Sequence, residues 1–210
     1  MAKLPAPPPV DELVALGPDV VAVATHTVLW RIHGTSGPHA LPWNQLRGFG
    51  PLDSARFDPH PLPASEDSGE GVLYLALDVA TCLAEVYQRT RTIARRRGAP
   101  YLTGMRLTRT VQLLDLTGTW PTRAGASMAL CSTPRRDLSR QWARALRSAY
   151  PSLDGLWHPS SMHGNDPCVT LWPPASDALP DRPEVSVPLA HPALAPALAA
   201  AAEDLGYRLL

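Results

Sequence analysis

The segment that decides the fold is VLYLALDVATCLAEVY, residues 72–87. Its first six residues form an apolar run of the length expected for a buried strand, and Asp78 follows as a candidate N-cap for a helix. We expect this helix to continue through QRTRTIARRR and to end near Gly98 and Pro100. The arginines at 95–97 would then lie in its last turn, where positive charge complements the negative end of the helix dipole. The segment therefore predicts a strand, a tight turn and a helix.

Patterns of the same kind flank this unit on both sides. β-Rich sequence runs from residue 20 to residue 34, and a loop rich in glycine and proline spans residues 34–71. Further strands are predicted within residues 105–118, 155–158 and 169–172, and helices within residues 135–151 and 192–206. Four apolar residues share one face of the first of these helices: Leu138, Trp142, Leu146 and Ala149. We expect an α+β (mixed α/β) fold, with a central, partly antiparallel sheet flanked by helices.

Length and composition favour one folded domain behind a short extension. The 210 residues are enough to bury one core, and no internal repeat is visible. Residues 1–19 contain a proline cluster, PAPPP at residues 5–9, whose prolines cannot donate backbone hydrogen bonds and hold the chain extended. We therefore predict a loose, proline-rich N-terminal arm at residues 1–19 and a single domain at residues 20–210.

Charge and cysteine content exclude several classes of function. The chain carries 19 basic and 19 acidic residues, so no global field attracts nucleic acid or an anionic membrane. Its three cysteines, Cys82, Cys131 and Cys168, are far apart and form no Cys-x-x-Cys pair. No signal peptide and no membrane-spanning run is visible. We expect a cytoplasmic protein that binds neither membranes nor nucleic acid directly.

Three segments carry the candidate chemistry: SARFDP, the strand and helix quoted above, and DGLWHPSSMHGND. In the first, Arg56 is followed by an aromatic residue; in the second, Tyr74 and Glu85 lie eleven residues apart (85 minus 74). In the third, Ser160 and Ser161 follow a proline. In order and local sequence these segments resemble the RES domain family, and the resemblance runs from about residue 28 to residue 172.

The resemblance implies a fold and an activity. RES proteins resemble ADP-ribosyltransferases in fold and are known as NAD-degrading enzymes, often toxins paired with an Xre-type antitoxin. By resemblance, NAD would be the substrate, cleaved at its nicotinamide-ribose bond without a metal. Family members often form homodimers, and the apolar C-terminal helix at residues 192–206 offers a contact surface.

The residue types suit this substrate. A guanidinium holds phosphate oxygens with a fixed fork of donors, so Arg56, together with Arg31, is the candidate anchor for the pyrophosphate or a ribose. Which of the two faces the substrate is left open by the sequence. Tyr74 would stack on nicotinamide or hold a ribose through its hydroxyl, although a tyrosine within an apolar strand is more often part of the core.

Glu85 is the most telling residue, because a helix face packed on a sheet rarely accepts an unpaired carboxylate. Cleavage of the N-glycosidic bond develops positive charge on the ribose, which a nearby carboxylate stabilises. The alternative is an exposed helical glutamate. Ser160 and Ser161 would position the ribose or the carboxamide, although serines in such loops are commonly only turn residues.

Other enzyme classes lack their sequence signals. No Gly-x-Ser-x-Gly elbow marks a serine hydrolase, and no Gly-x-Gly-x-x-Gly marks a dinucleotide-binding Rossmann fold. His158 and His163 are expected in a loop without acidic partners, so no metal site is predicted. The acceptor, water or inorganic phosphate, stays open. Two rivals also remain: an ADP-ribosyltransferase that modifies a protein or nucleic acid, and a non-catalytic binding module of the same fold.

Overall fold

The computed structural model describes residues 4–66 and 68–210. Residues 1–3 of the predicted arm and residue 67 of the long loop lie outside the described residues. The strands are β1 (Val20–Val23), β2 (Leu29–Gly34), β3 (Leu73–Ala76), β4 (Thr92–Ile93), β5 (Pro100–Met105), β6 (Val111–Asp115), β7 (Gly155–Pro159), β8 (Pro167–Leu171), β9 (Val185–Pro188) and β10 (Arg208–Leu209). The helices are α1 (Val10–Leu16), α2 (Val79–Tyr87), α3 (Trp120–Arg123), α4 (Ala129–Ser132), α5 (Arg136–Ala149) and α6 (Ala195–Leu205), with 3₁₀ turns at Pro173–Ala178 and Pro192–Leu194.

Eight of the described strands form one sheet, in the order β1-β6-β7-β8-β3-β2-β5-β9. Neighbouring strands are antiparallel except β6 and β7, which are parallel. β10 and β4 form a separate parallel pair. Within the large sheet, β2 and β3 pair only through Trp30 and Ala76, so these two central strands part soon after they meet. The predicted mixed α/β fold with a partly antiparallel sheet flanked by helices is confirmed.

Side chains of β3 alternate between the two faces of the sheet, as the pleat requires. Leu73 and Leu75 pack into one cluster with the turn at Pro173–Ala178, while Ala76 packs against α2 and α6. A third cluster surrounds α5 and contains three of the largest buried side chains, Trp120, Trp142 and Trp172. The four apolar residues predicted to share one face of α5 are all buried, so that prediction is confirmed. No helix among the described residues has the length and apolar character that crossing a bilayer requires.

Helix α2 begins as predicted, because Asp78 accepts a hydrogen bond from the backbone N–H of Thr81 at 2.8 Å. Its predicted end near Gly98 is wrong. The helix ends at Tyr87, Arg91 takes a positive φ of 49°, and Ile93 is buried in β4 against the C-terminal strand β10. The arginines at 95–97 therefore lie beyond β4 and do not complement a helix dipole.

The prediction of a loose N-terminal arm is also wrong for the described residues. Leu4 is buried, and α1 packs against α5. Buried donors of the domain use carbonyls of this segment: Trp142 Nε1 donates to the Pro5 carbonyl at 2.9 Å, and the Tyr150 hydroxyl donates to the Leu13 carbonyl at 2.5 Å. Proline removes a donor but keeps its acceptor, so a proline-rich segment can still satisfy the core of the domain.

Candidate active site

A cavity of about 430 Å³ opens where β2 and β3 part. This volume lies within the range of small-molecule sites, roughly 300–1,000 Å³. The predicted site residues that line it are Arg31, Arg56, Tyr74, Glu85 and Ser161. Ser160 is buried behind the wall and contacts Glu85. Residues that are distant along the chain therefore converge on one cavity, which is the geometry that the resemblance required.

Glu85 lies in the last turn of α2, half-buried, and the loop after β7 holds its carboxylate. Oε1 accepts hydrogen bonds from Ser160 Oγ at 2.7 Å, from the Ser161 backbone N–H at 2.7 Å and from Ser161 Oγ at 3.2 Å. The closest donor to Oε2 is Gln88 Nε2, at 3.1 Å. One oxygen is thus saturated, whereas the other keeps lone pairs for a ligand hydroxyl. Among the described residues, Glu85 is the only acid in the cavity wall.

The sequence left open whether Arg31 or Arg56 faces the substrate. In the structure both arginines line the cavity. Arg31 Nη1 donates to the carbonyls of Pro42 and Trp43, at 3.0 and 2.6 Å. Arg56 Nη1 donates to the Thr133 carbonyl at 2.6 Å. Burial lowers the pKa of Arg31 to about 10 and also lowers the pKa of Arg56. Neither guanidinium pairs with a carboxylate among residues 4–66 and 68–210.

The Tyr74 hydroxyl is committed to neighbours within the protein. It donates to Asp58 Oδ1 at 2.8 Å and accepts from the Phe57 backbone N–H at 3.0 Å. Asp58 is fully buried and pairs with Arg47 through both carboxylate oxygens, at 2.8 and 2.7 Å. Burial, with Asp58 nearby, raises the pKa of Tyr74 well above its usual value. Of the two roles considered from the sequence, this arrangement favours the ring over the hydroxyl.

Two histidines in the wall are neutral at pH 7. His158 packs its ring on Phe57 with 4.7 Å between centroids, and its Nε2 contacts Thr170 Oγ1 at 2.9 Å. Burial lowers the pKa of both His158 and His33 to about 4. His158 lies in β7, which confirms the strand predicted within residues 155–158; its assignment to the same loop as His163 is wrong. These two rings therefore add no positive charge to the cavity, whose wall contains Arg31, Arg47, Arg56 and Arg136.

Helix α5 holds the loop that carries Arg56. Arg140 Nη1 donates to three carbonyls of this loop, Leu52, Asp53 and Ala55, at 3.0 to 3.2 Å. This anchoring explains how an arginine eighteen residues before Tyr74 (74 minus 56) still reaches the cavity. The wall also contains Arg47, Gln88 and Arg136, which sequence reasoning missed. For Gln88 a signal existed, because it lies three residues after Glu85 and such pairs meet on a helix.

The loop after β7 contacts α2 at a second point. Thr81 Oγ1 lies 2.5 Å from Asp78 Oδ2 and 2.8 Å from His163 Nδ1, and the same nitrogen is 3.0 Å from Asp166 Oδ2. His163 thus has acidic neighbours that the sequence did not show, and the three ionisable side chains Asp78, His163 and Asp166 are close enough to bind an ion. Their contacts with one another and with buried Thr81 fix the loop that orients Glu85.

The sequence profile of the RES domain matches residues 28–190. The chain belongs to the RES domain family. Among solved structures, the fold is similar to that of a chain in the crystal structure of the M. tuberculosis MbcT-MbcA toxin-antitoxin complex, with a TM-score of 0.61 and 20% sequence identity. The match covers 91% of this chain and 96% of that chain. No curated protein matches the chain. The family resemblance inferred from the three sequence segments is confirmed.

Proposed function

We propose that this RES domain protein binds NAD in the cavity and cleaves the bond between nicotinamide and ribose. The observation that carries the proposal is that one cavity contains the acid Glu85 together with Arg31 and Arg56, which have no carboxylate partner among the described residues. NAD combines an anionic pyrophosphate with a cationic nicotinamide ring, so it requires both kinds of group. The cavity wall contains both.

The arginines would bind the pyrophosphate. Arg31 and Arg56 are largely desolvated and donate only to backbone carbonyls, so each keeps N–H groups for a ligand. A buried cation without an anion is unfavourable, and an incoming phosphate relieves that cost. The neutral imidazoles of His33 and His158 add no competing charge. The Tyr74 ring offers a surface on which nicotinamide stacks.

Glu85 would stabilise the transition state. When the C1′–N1 bond breaks, its electron pair goes to the nicotinamide nitrogen, and nicotinamide leaves as a neutral molecule. Positive charge then develops on the ribose, shared by C1′ and the ring oxygen, and the carboxylate stabilises it. Water or inorganic phosphate attacks C1′ to form ADP-ribose, with loss of a proton, or its 1-phosphate. Ser160 and Ser161 keep the carboxylate in place from behind.

We extend the proposal to a biological role. The chain would act in the cytoplasm as the toxin of a toxin-antitoxin pair, with an Xre-type protein as antitoxin. Membership of the RES family and a fold shared with a chain of a toxin-antitoxin complex support this role. Expression of the chain should then deplete cellular NAD and arrest growth, and the Glu85→Gln variant should do neither. A homodimer formed through α6 stays a prediction.

The decisive experiment incubates the purified chain with NAD, with and without inorganic phosphate, and separates the products by chromatography. We expect free nicotinamide together with ADP-ribose or ADP-ribose 1-phosphate. Nicotinamide together with ADP-ribose attached to a protein or nucleic acid would indicate the transferase instead. Binding of NAD without any nicotinamide release at high protein concentration would contradict the proposal and favour a non-catalytic module.

A further inference from the structure

One arginine joins the two walls of the cavity. Arg136, in the first turn of α5, donates through Nη2 to Gln88 Oε1 at 2.7 Å. Its Nη1 donates to the carbonyl of Ser54, two residues before Arg56. Gln88 directly follows α2, which carries Glu85. Arg136 therefore connects the loop of Arg56 to the helix of Glu85.

The Gln88 amide has one orientation that satisfies its contacts. Nε2 donates to Glu85 Oε2 at 3.1 Å and to the Glu85 carbonyl at 2.8 Å, while Oε1 accepts from Arg136. A flipped amide would place its oxygen against two acceptors and its NH₂ group against a guanidinium. Neither glutamate nor a shorter apolar side chain reproduces this pattern. Gln88 thus links Arg136 to the Glu85 carboxylate through two hydrogen bonds.

The two oxygens of Glu85 have their shortest hydrogen bonds with different parts of the chain, although Ser161 Oγ also lies 3.5 Å from Oε2. Three donors of the loop after β7 hold Oε1, whereas Gln88 provides the closest donor to Oε2. Oε2 is the oxygen with lone pairs left for a ribose hydroxyl. Gln88 and Arg136 connect this oxygen to the loop of Arg56.

We propose that Gln88 and Arg136 are a positioning pair for the cleavage of NAD. They orient Glu85 Oε2 and hold it at a fixed distance from the loop that carries Arg56. The proposal rests on the proposed function. It differs from a role for Arg136 as a direct phosphate ligand, because a positioning pair acts mainly on kcat, whereas a phosphate ligand acts on KM.

The first test is a double-mutant cycle with Gln88→Met and Arg136→Met, measured as kcat and KM for nicotinamide release. Because the two residues act in series, we expect each variant to lose about 10-fold in kcat, and the double variant to lose about the same. KM should change less than threefold. A double variant that loses about 100-fold in kcat, the product of the two single losses, would overturn the proposal. So would an Arg136→Met variant in which only KM changes.

The matched control is Arg135→Met, on the same helix turn. Arg135 is exposed, and among the described residues its guanidinium forms hydrogen bonds with Asp137 alone. Its kcat and KM should equal those of the natural chain. If circular dichroism shows that Arg136→Met does not fold, Arg136→Lys replaces it in the cycle. Lysine keeps the positive charge but cannot donate to Gln88 and to Ser54 with a planar guanidinium.

The second test needs no turnover and compares crystal structures of the natural chain, Gln88→Met, Arg136→Met and the control Arg135→Met, all without NAD. Because Gln88 donates to Glu85 Oε2 and accepts from Arg136, we expect Glu85 Oε2 to leave its position in Gln88→Met and Arg136→Met but not in Arg135→Met. An unchanged Glu85 carboxylate in both variants would overturn the positioning pair even if NAD is cleaved. A displaced carboxylate would support the pair even if the natural chain releases no nicotinamide, in which case the proposed function alone fails.

Discussion

Two arginine-containing regions of the molecule balance their charges differently. Outside the cavity, Arg109 donates to the carboxylates of Asp154 and Asp177 and to the Pro174 carbonyl, at 2.5 to 3.1 Å. Hydrogen bonds to these two carboxylates raise the pKa of Arg109. In the cavity, burial lowers the pKa of Arg31 and Arg56, and their acceptors are backbone carbonyls. The anionic partners of Arg109 belong to the fold, whereas Arg31 and Arg56 have no carboxylate partner among the described residues.

The difference separates structural from functional arginines. A desolvated guanidinium without a carboxylate partner reduces stability, because carbonyl dipoles only partly replace its hydration. Such an arrangement persists where a ligand brings the missing anion. Arg109 links the segment before β6 to the segment before β7 and serves the fold alone. Changes to the two regions should therefore have opposite consequences for stability and for activity.

The largest expected effect comes from removing the acid of the cavity. Glu85→Gln should lower the rate of nicotinamide release by about 100-fold or more, because the charge that stabilises the ribose cation is lost. Gln is isosteric and still accepts from the serines, so the unfolding midpoint in urea should change little. Unchanged turnover in a folded variant would remove Glu85 from the mechanism. Asp177→Asn, at the Arg109 region, is the control and should retain full activity.

Acidification should destabilise the protein through the cavity histidine His158. Its folded pKa is about 4, lowered by burial, against 6.5 for the ordinary group, so below pH 6.5 the unfolded chain binds a proton that the folded chain does not. Stability should fall as the pH drops from about 6.5 to about 4, by roughly 3 kcal/mol from this group. Urea unfolding across this range should show a shallower slope for His158→Gln. Equal slopes would mean that the ring is not buried in its neutral form.

The arginines provide the most direct contrast between the regions. Arg31→Met and Arg56→Met should each weaken NAD binding by about 10- to 100-fold, the usual effect of losing a charge-assisted hydrogen bond, and should leave stability equal or higher. Arg109→Met should leave NAD binding unchanged but cost about 2 kcal/mol of stability, because Asp154 loses its partner. Calorimetric titration in the Glu85→Gln background measures affinity without turnover. Weaker NAD binding in Arg109→Met, with unchanged binding in Arg31→Met and Arg56→Met, would contradict the assignment of the functional and structural arginines.

The smallest effect is expected for Tyr74→Phe. Asp58 and the Phe57 N–H lose a hydrogen-bond partner, so the free energy of unfolding should fall by about 1–2 kcal/mol. The ring that faces the cavity is kept, and nicotinamide release should stay within about 10-fold of the natural rate. A much larger loss of rate, at unchanged stability, would show that the hydroxyl contacts the ribose.

The sequence predicted the parts of the site that follow from local spacing. A strand, an N-cap and a helix place Tyr74 and Glu85 on adjacent elements, and a serine pair after a strand fits the third segment. It did not predict that α2 ends at Tyr87, because Ile93 is drawn into a pairing with β10, more than a hundred residues later along the chain. Packing of residues 4–16 was likewise hidden, since it depends on buried donors at Trp142 and Tyr150.

The polar supports of the site were hidden for the same reason. Arg136 lies 48 residues from Gln88 and 82 from Ser54, and no periodic pattern marks such contacts. The pairing of Arg47 with Asp58 lies within the long loop, where neither a helical nor a strand period gives a direction to side chains. Local patterns thus placed the reacting groups, while the residues that hold them appear only in three dimensions.

A crystal structure of the Glu85→Gln variant with NAD tests the central claim most directly, because cleavage is blocked while the cavity is kept. We expect the pyrophosphate within hydrogen-bond distance of Arg31 and Arg56, and the nicotinamide ribose beside residue 85. NAD bound elsewhere on the protein, or an empty cavity at saturating NAD, would contradict the assignment of this cavity as the NAD site.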